Sequence, residues 1–376
     1  MYNVPELIRM PAFLDELAAS LHGEGPPPLL RDAKIKLTSR CNLRCVMCKY
    51  WQTTTEDALP GERWREVFAE LAGLGCRKVH FSGGEIFLRR DVLDLAGAAV
   101  DLGMKVNLTT NGTLIDRDRA RRIADIGVNS VSVSLDGPTP RSHDRVRRRP
   151  QAFRKSVRAI RWMRAASDRL RLRINFVVMR RNFRRLPEMV RLAGELGAED
   201  LLPMPVDEQG ARRHRLSARQ ILEHNREVAP EVLELRRRYG FSTAPALVYP
   251  FGVTDEEVRL SARGLYARGA FERRACLAPW LHTFFAWNGD AYLCCMTNGR
   301  MEPLGNVGRQ RVGEVFVGEA YARIRREFAA GRHLPSCQRC DLFLRDNARL
   351  HAALDEAREQ RGALAEGARP APALAQ

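Results

Sequence analysis

Cys41-Asn42-Leu43-Arg44-Cys45-Val46-Met47-Cys48 sets three thiols in a C-x₃-C-x₂-C spacing. Thiolates are soft ligands that favour iron–sulfur or zinc sites, and so compact a group reads as metal binding before it reads as disulfide. A cubane has four irons, so three protein thiols leave one iron open. The stretch follows Ala33-Lys34-Ile35-Lys36-Leu37, a short β-like run. The loop is therefore expected at the carboxyl end of a first strand, where α/β barrels place their chemistry. A zinc site or a redox disulfide is the alternative, and a closed zinc site wants a fourth nearby Cys or His.

Outward from that loop, strands and helices alternate. A helix carrying Trp64, Val67, Phe68, Leu71 and Leu74 on one face leads to strand 78–81 and Ser82-Gly83-Gly84-Glu85. Paired glycines allow close backbone approach to a ligand, and a carboxylate follows them. Helix 91–102 leads to strand 105–108 and Thr109-Thr110-Asn111-Gly112, and helix 116–126 leads to strand 130–134 and Asp136-Gly137. Helix 153–166 precedes strand 172–179, and helix 186–196 precedes Asp200-Leu201-Leu202-Pro203-Met204, with a last helix over 218–238. Six such units predict an α/β fold, a parallel sheet curled by right-handed crossovers into a partial (β/α)₆ TIM-like barrel. A complete eight-unit barrel typically needs about 250 residues, more than this span supplies.

These residues resemble the radical S-adenosylmethionine (SAM) superfamily. Cys41, Cys45 and Cys48 match its cluster loop, and Gly83-Gly84-Glu85 matches its second motif, which binds the SAM amino group. Two positions depart from the pattern: Met47 stands where an aromatic residue is common, and Ile86 where proline is usual. The resemblance implies a [4Fe–4S] cluster on the three cysteines, with SAM chelating the open iron. Reductive cleavage would then yield a 5′-deoxyadenosyl radical that abstracts a substrate hydrogen. Ser134, Asp136 and Asn111 would lie along the SAM rim; the plain alternative for them is turn and cap chemistry.

A second cysteine group follows a connector over 241–272, within which a helix is expected over 254–268. It comprises Cys276, Cys294, Cys295, Cys337 and Cys340. Phe284-Phe285-Ala286-Trp287 and Ala291-Tyr292-Leu293 meet at Asn288-Gly289, a hairpin signal. With Leu304-Gly305-Asn306-Val307 and Cys337-x₂-Cys340, this region resembles a twitch domain, the shortened SPASM domain. That resemblance makes Cys276, Cys294, Cys337 and Cys340 the ligands of one auxiliary [4Fe–4S] cluster. Cys295 is then expected to point the other way on its strand, and a Cys₄ zinc site is the alternative. The resulting divisions are residues 1–32, an N-terminal helix and linker; 33–240, the barrel; 241–272, the connector; 273–345, the twitch domain; and 346–376, a charged helix and a tail expected to be disordered.

The totals fit a single enzyme chain. At 376 residues there is burial enough for a large and a small domain. Nine cysteines at short spacings suit a reducing cytoplasm, and no run approaches the roughly 18 apolar residues of a membrane span. The formal charge of +17 is largely arginine, including Arg147-Arg148-Arg149 and Arg236-Arg237-Arg238, read as solvated helix faces. The lack of interleaved stacking aromatics argues against a nucleic-acid surface, whereas an acidic flavodoxin- or ferredoxin-type reductant fits the charge.

A fully ligated auxiliary cluster favours electron transfer. The pattern resembles twitch-domain dehydrogenases that oxidise a secondary alcohol of an aminocyclitol or sugar to a ketone in antibiotic biosynthesis. The leading expectation is therefore an oxidoreductase of that class, its general base unassigned. An epimerase would need a thiol donor, and Cys76 sits at the closed end of the barrel while Cys295 could reach only from the second domain. The remaining alternatives are a ribosomal-peptide maturase and a basic iron–sulfur or zinc RNA-binding protein.

Overall fold

The computed structural model describes residues 4–23, 30–48, 50–52, 59–208, 213–341 and 343–367, with side chains to 360. The breaker at 24–28, the polar stretch at 53–57 and the tail beyond 367 lie outside the described residues. Nine strands form one sheet: β1 (Asp32–Thr38), β2 (Lys78–Gly83), β3 (Lys105–Thr110), β4 (Ser130–Ser134), β5 (Arg171–Val178), β6 (Asp200–Pro205), β7 (His282–Phe285), β8 (Asp290–Tyr292) and β9 (Gly305–Asn306). Their order is β6-β5-β4-β3-β2-β1-β7-β8-β9. The first six are parallel, each returning through helix, as in a partial barrel.

The two faces of this sheet differ in chemistry. Ala33, Ile35 and Leu37 of β1, Val79 and Phe81 of β2, and Ile174 and Phe176 of β5 are sealed under the helices. Helix Gly61–Gly73 supplies Trp64, Val67, Phe68 and Leu71 at helical spacing, all fully buried, and Phe68 stacks on Phe81 with centroids 5.3 Å apart. Each such side chain contributes about 1.5–3 kcal/mol on burial. The alternate residues turn inward and are polar: His80 Nε2 meets Thr109 Oγ1 at 2.7 Å, and Ser130 Oγ donates to Asn107 Oδ1 at 2.8 Å. The barrel interior is thus a polar lumen with an apolar outer wall.

Three differences from the sequence reading concern placement. The hairpin is not set apart from the barrel. Its first strand runs parallel to β1, pairing Asp32 with His282 and Ile35 with Phe285, so β7–β9 continue the barrel sheet. The connector helix is shorter than expected, Asp255–Ala262; it is capped by Thr254 with Glu257 and ends before Gly264, whose φ of +81° is left-handed. Finally, a helix beyond those expected, Pro140–Arg147, follows β4, with Thr139 and Ser142 forming its capping box.

Candidate functional site

The loop of Cys41, Cys45 and Cys48 leaves the end of β1 and is fastened on three sides. Toward β2, Gly84 N donates to Thr38 O at 2.9 Å and Glu85 N to Arg40 O at 2.8 Å. Toward β3, Asn111 Nδ2 donates to Asn42 Oδ1 at 2.9 Å, and Asn42 Nδ2 to Thr113 Oγ1 at 2.8 Å. Toward helix Pro140–Arg147, Val46 N donates to Val146 O at 2.9 Å and the Arg147 guanidinium reaches Cys45 Sγ at 3.6 Å. A loop tied to two strand ends and a helix holds its thiols with little freedom, as a pre-formed ligand set requires.

Several residues expected on the SAM rim turn out to be fasteners. A Cβ on Gly84 would lie 2.0 Å from Arg40 O, and one on Gly83 2.4 Å from Thr38 O. The approach of the protein's own backbone therefore demands glycine at both positions. The Glu85 side chain is fully buried and both oxygens are taken: Oε1 by Phe87 N and the Thr110 hydroxyl, Oε2 by Asn111 N at 2.7 Å. Burial raises its pKa against the pull of those three donors. Asp136 is likewise fully buried, ion-paired to Arg147 at 2.7 Å and accepting from Val177 N at 2.9 Å. The carboxylates of Glu85 and Asp136 thus both have partners within the protein. Asn111 turns its amide to the thiol loop, and Ser134 is half-buried at the end of β4.

Arg147 also corrects the charge reading. It is 8% exposed and belongs to the site, while Arg148 and Arg149 beside it are exposed. Arg236 is another such case, fully buried with its guanidinium on Asp200 and Leu201 O. Nothing in a run of three arginines says which one turns inward; the i+4 offset of Arg147 from the buried His143 fixes the helix face only once the helix is known.

The second cysteine group brings four buried thiols together. Cys276 precedes helix Ala278–Leu281, Cys294 lies two residues past β8, and Cys337 and Cys340 flank the end of the turn Pro335–Arg339. Cys276, Cys294 and Cys340 each feel the charge of one or more of the others, and burial pushes Cys276 up to about 12 and Cys337 to about 11. Thiols whose ionisation is so disfavoured become thiolates beside a cationic metal, so the set fits an iron–sulfur cluster by its donor chemistry. Asn347 Nδ2 lies 3.6 Å from Cys276 Sγ, while its Oδ1 accepts from Leu277 N. In the first group Cys41 feels the charge of Cys45 and Cys48, Cys45 feels that of Cys48, and burial pushes Cys41 up to about 12. Among the described residues no three His, Cys, Asp or Glu side chains converge closely enough to hold a single metal ion.

Cys295 does not sit on a strand, since β8 ends at Tyr292. It is half-buried beside Phe284, Ala286 and Tyr292. It also lies within electrostatic reach of Tyr50, as does Cys48. Tyr50 joins the two regions: its Oη receives Asn298 Nδ2 at 3.1 Å and its ring lies 3.0 Å under the Lys36 ammonium. No signal in the sequence pointed to Tyr50, Asn42 or Asn347.

Two sequence families match the chain. Residues 35–193 match the radical SAM superfamily, and residues 276–341 match the SPASM iron-sulfur cluster-binding domain. The chain carries a radical SAM domain and, C-terminal to it, a SPASM domain. Its cofactors are accordingly SAM with a [4Fe–4S] cluster, and auxiliary iron–sulfur in the SPASM domain. Among curated relatives, the PqqA peptide cyclase of Bradyrhizobium diazoefficiens is 34% identical over 169 residues, 44% of this chain and 44% of that protein. The AdoMet-dependent heme synthase of Methanosarcina barkeri is 35% identical over 165 residues, 43% and 47%. The matched region spans less than half the length of these relatives. Streptococcus suis SuiB bound to S-adenosylmethionine shares the fold at a TM-score of 0.65 and 16% identity, over 88% of this chain and 76% of that one. Among the described residues no helix is long and apolar enough to cross a membrane.

Proposed function

We propose that this radical SAM enzyme oxidises a side chain within a peptide. The observation that carries the reading is the 34% identity to a PqqA peptide cyclase over 169 residues. The aminocyclitol alcohol expected from the cysteine pattern has no support among the relatives described above and gives way to the peptide. SAM on its cluster, once reduced by one electron, supplies the radical that takes a hydrogen atom from the substrate.

The chain's own residues would then act as follows. Cys41, Cys45 and Cys48 hold the SAM-binding cluster, within a barrel core of residues 33–240. Arg147 sets a positive charge against Cys45 Sγ and is itself held by Asp136. Gly83 and Gly84 let the backbone after β2 close on the thiol loop, and Ser134 and Asn111 line the strand ends facing it. Val46, Met47, Val146, Met179 and Val206 form a small apolar cluster beside the loop, suited to cover a flat aromatic group. Cys276, Cys294, Cys337 and Cys340, within residues 273–345, hold an auxiliary cluster, and four protein ligands leave it closed to substrate. It is thereby suited to receive the second electron.

The reading is tested by anaerobic reconstitution and incubation with SAM, reductant and short peptides encoded beside the gene. Loss of two hydrogens from the peptide for each SAM cleaved is expected. An unchanged peptide mass with one hydrogen drawn from solvent would replace oxidation by epimerisation, and turnover of an aminocyclitol but no peptide would restore the small-molecule reading.

A further inference from the structure

Helix Pro140–Arg147 and the segment after β5 enclose a cleft of about 380 Å³ whose lining has a single sign of charge. Arg141, Arg145, Arg181 and Arg185 contribute to it, with Thr139 and Ser142 between them and no Asp or Glu. Arg185 is occupied by Glu188, whose Oε2 accepts from Nη2 at 2.6 Å. Arg141, Arg145 and Arg181 are exposed and form no ion pair among the described residues. Unpaired guanidinium groups around a concavity focus positive potential outward and speed the arrival of an acidic partner.

What lies behind the cleft decides which partner. Val146, part of its lining, accepts the Val46 amide at 2.9 Å, and Val46 is the residue after Cys45. The next residue on the same helix, Arg147, reaches Cys45 Sγ. One hydrogen bond and two adjacent side chains therefore separate the cationic surface from the thiol loop. Among the described residues nothing comparable joins the exposed Arg237 and Arg238 of helix Ala229–Arg238 to either cysteine group.

We propose that this cleft is the docking surface for an acidic one-electron carrier protein, a flavin or iron–sulfur reductant. The carrier gives up one electron and the cluster on the thiol loop gains it, with no proton or bond changed. The proposal rests on the assignment of Cys41, Cys45 and Cys48 to that cluster.

The test compares the parent chain with R141E/R145E/R181E, the milder R141Q/R145Q/R181Q, and R237E/R238E as a distant control. Binding of an acidic flavodoxin is measured by titration at several salt concentrations, and cluster reduction by spin-resonance spectroscopy with either reduced flavodoxin or dithionite. Binding about tenfold weaker or more is expected for the glutamate variant, with an intermediate loss for the glutamine variant and a shallower salt dependence in both. Reduction by dithionite should be unchanged, and the distant control should match the parent. Equal flavodoxin binding and reduction across all four proteins overturns the docking surface while leaving the cluster assignment standing. A parent in which dithionite reduces no cluster dependent on Cys45 overturns the assignment and the proposal together. Single-stranded RNA that binds the parent and is lost in the variants while flavodoxin is unaffected would give the cleft to nucleic acid instead.

Discussion

The two cysteine groups on this sheet are built to opposite ends. Of the first three thiols, Cys41 and Cys48 are only half-buried, and the loop that carries them is secured through backbone and amide contacts to neighbouring strand ends. In the second group Cys276, Cys294, Cys337 and Cys340 are all buried, drawn from three separate segments. A short loop with accessible sulfurs leaves room for an exchangeable ligand, whereas thiols gathered from distant segments and sealed by packing close their site. The side-chain donors differ in the same sense: a guanidinium on Cys45 and a neutral amide on Cys276.

That contrast can be broken most severely at the thiols. Cys45→Ala should abolish SAM cleavage and lower iron from about eight to about four atoms per chain, read by 5′-deoxyadenosine formation and iron analysis. Cys276→Ala should lower iron equally yet leave SAM cleavage in place while product formation stops. If both variants behaved alike, the two groups would not be functionally distinct.

The supports come next. Arg147→Ala leaves Asp136 as a buried, unpaired carboxylate, and such a break costs about 3–5 kcal/mol in unfolding free energy. Gly84→Ala forces a Cβ against Arg40 O and should cost about 1–3 kcal/mol in the same denaturation measurement. Gly97, in helix Val92–Asp101 with open space at its Cβ, should instead gain about 0.5–1 kcal/mol on substitution by alanine.

The last effect is one of pH and belongs to the lumen wall. Burial, with Lys34 nearby, lowers His80 to about 3, so the folded chain keeps it neutral where an unfolded chain binds a proton near pH 6.5. Between those values the unfolded state holds more protons, and stability falls as pH falls, by about 1.4 kcal/mol per pH unit for this residue. His80→Asn should flatten the decline between about pH 7 and about pH 5.5 in urea titrations.

Much of this was legible in the chain. The alternation of apolar and polar residues in β5, the helical spacing of Trp64, Val67, Phe68 and Leu71, and the turn at Asn288-Gly289 each announce their elements. Glu85 and Asp136 were recognisable as special, but their use was not. A carboxylate after a strand serves ligand or backbone according to which groups the neighbouring strands bring to it. In Glu85 those groups are Thr110 and Asn111 of the next strand end, 25 and 26 residues on.

Local sequence by itself determined the soft-ligand loop, the parallel strand–helix repeat and the existence of a second thiol group, because ligand type and hydrophobic period are local properties. Only the tertiary structure decided that β7 extends the barrel sheet beside β1, that Arg147 is a buried partner of Cys45 while its neighbours face solvent, and that Tyr50 joins the two regions. Those are matters of which distant surfaces meet, and they follow from packing the whole chain at once.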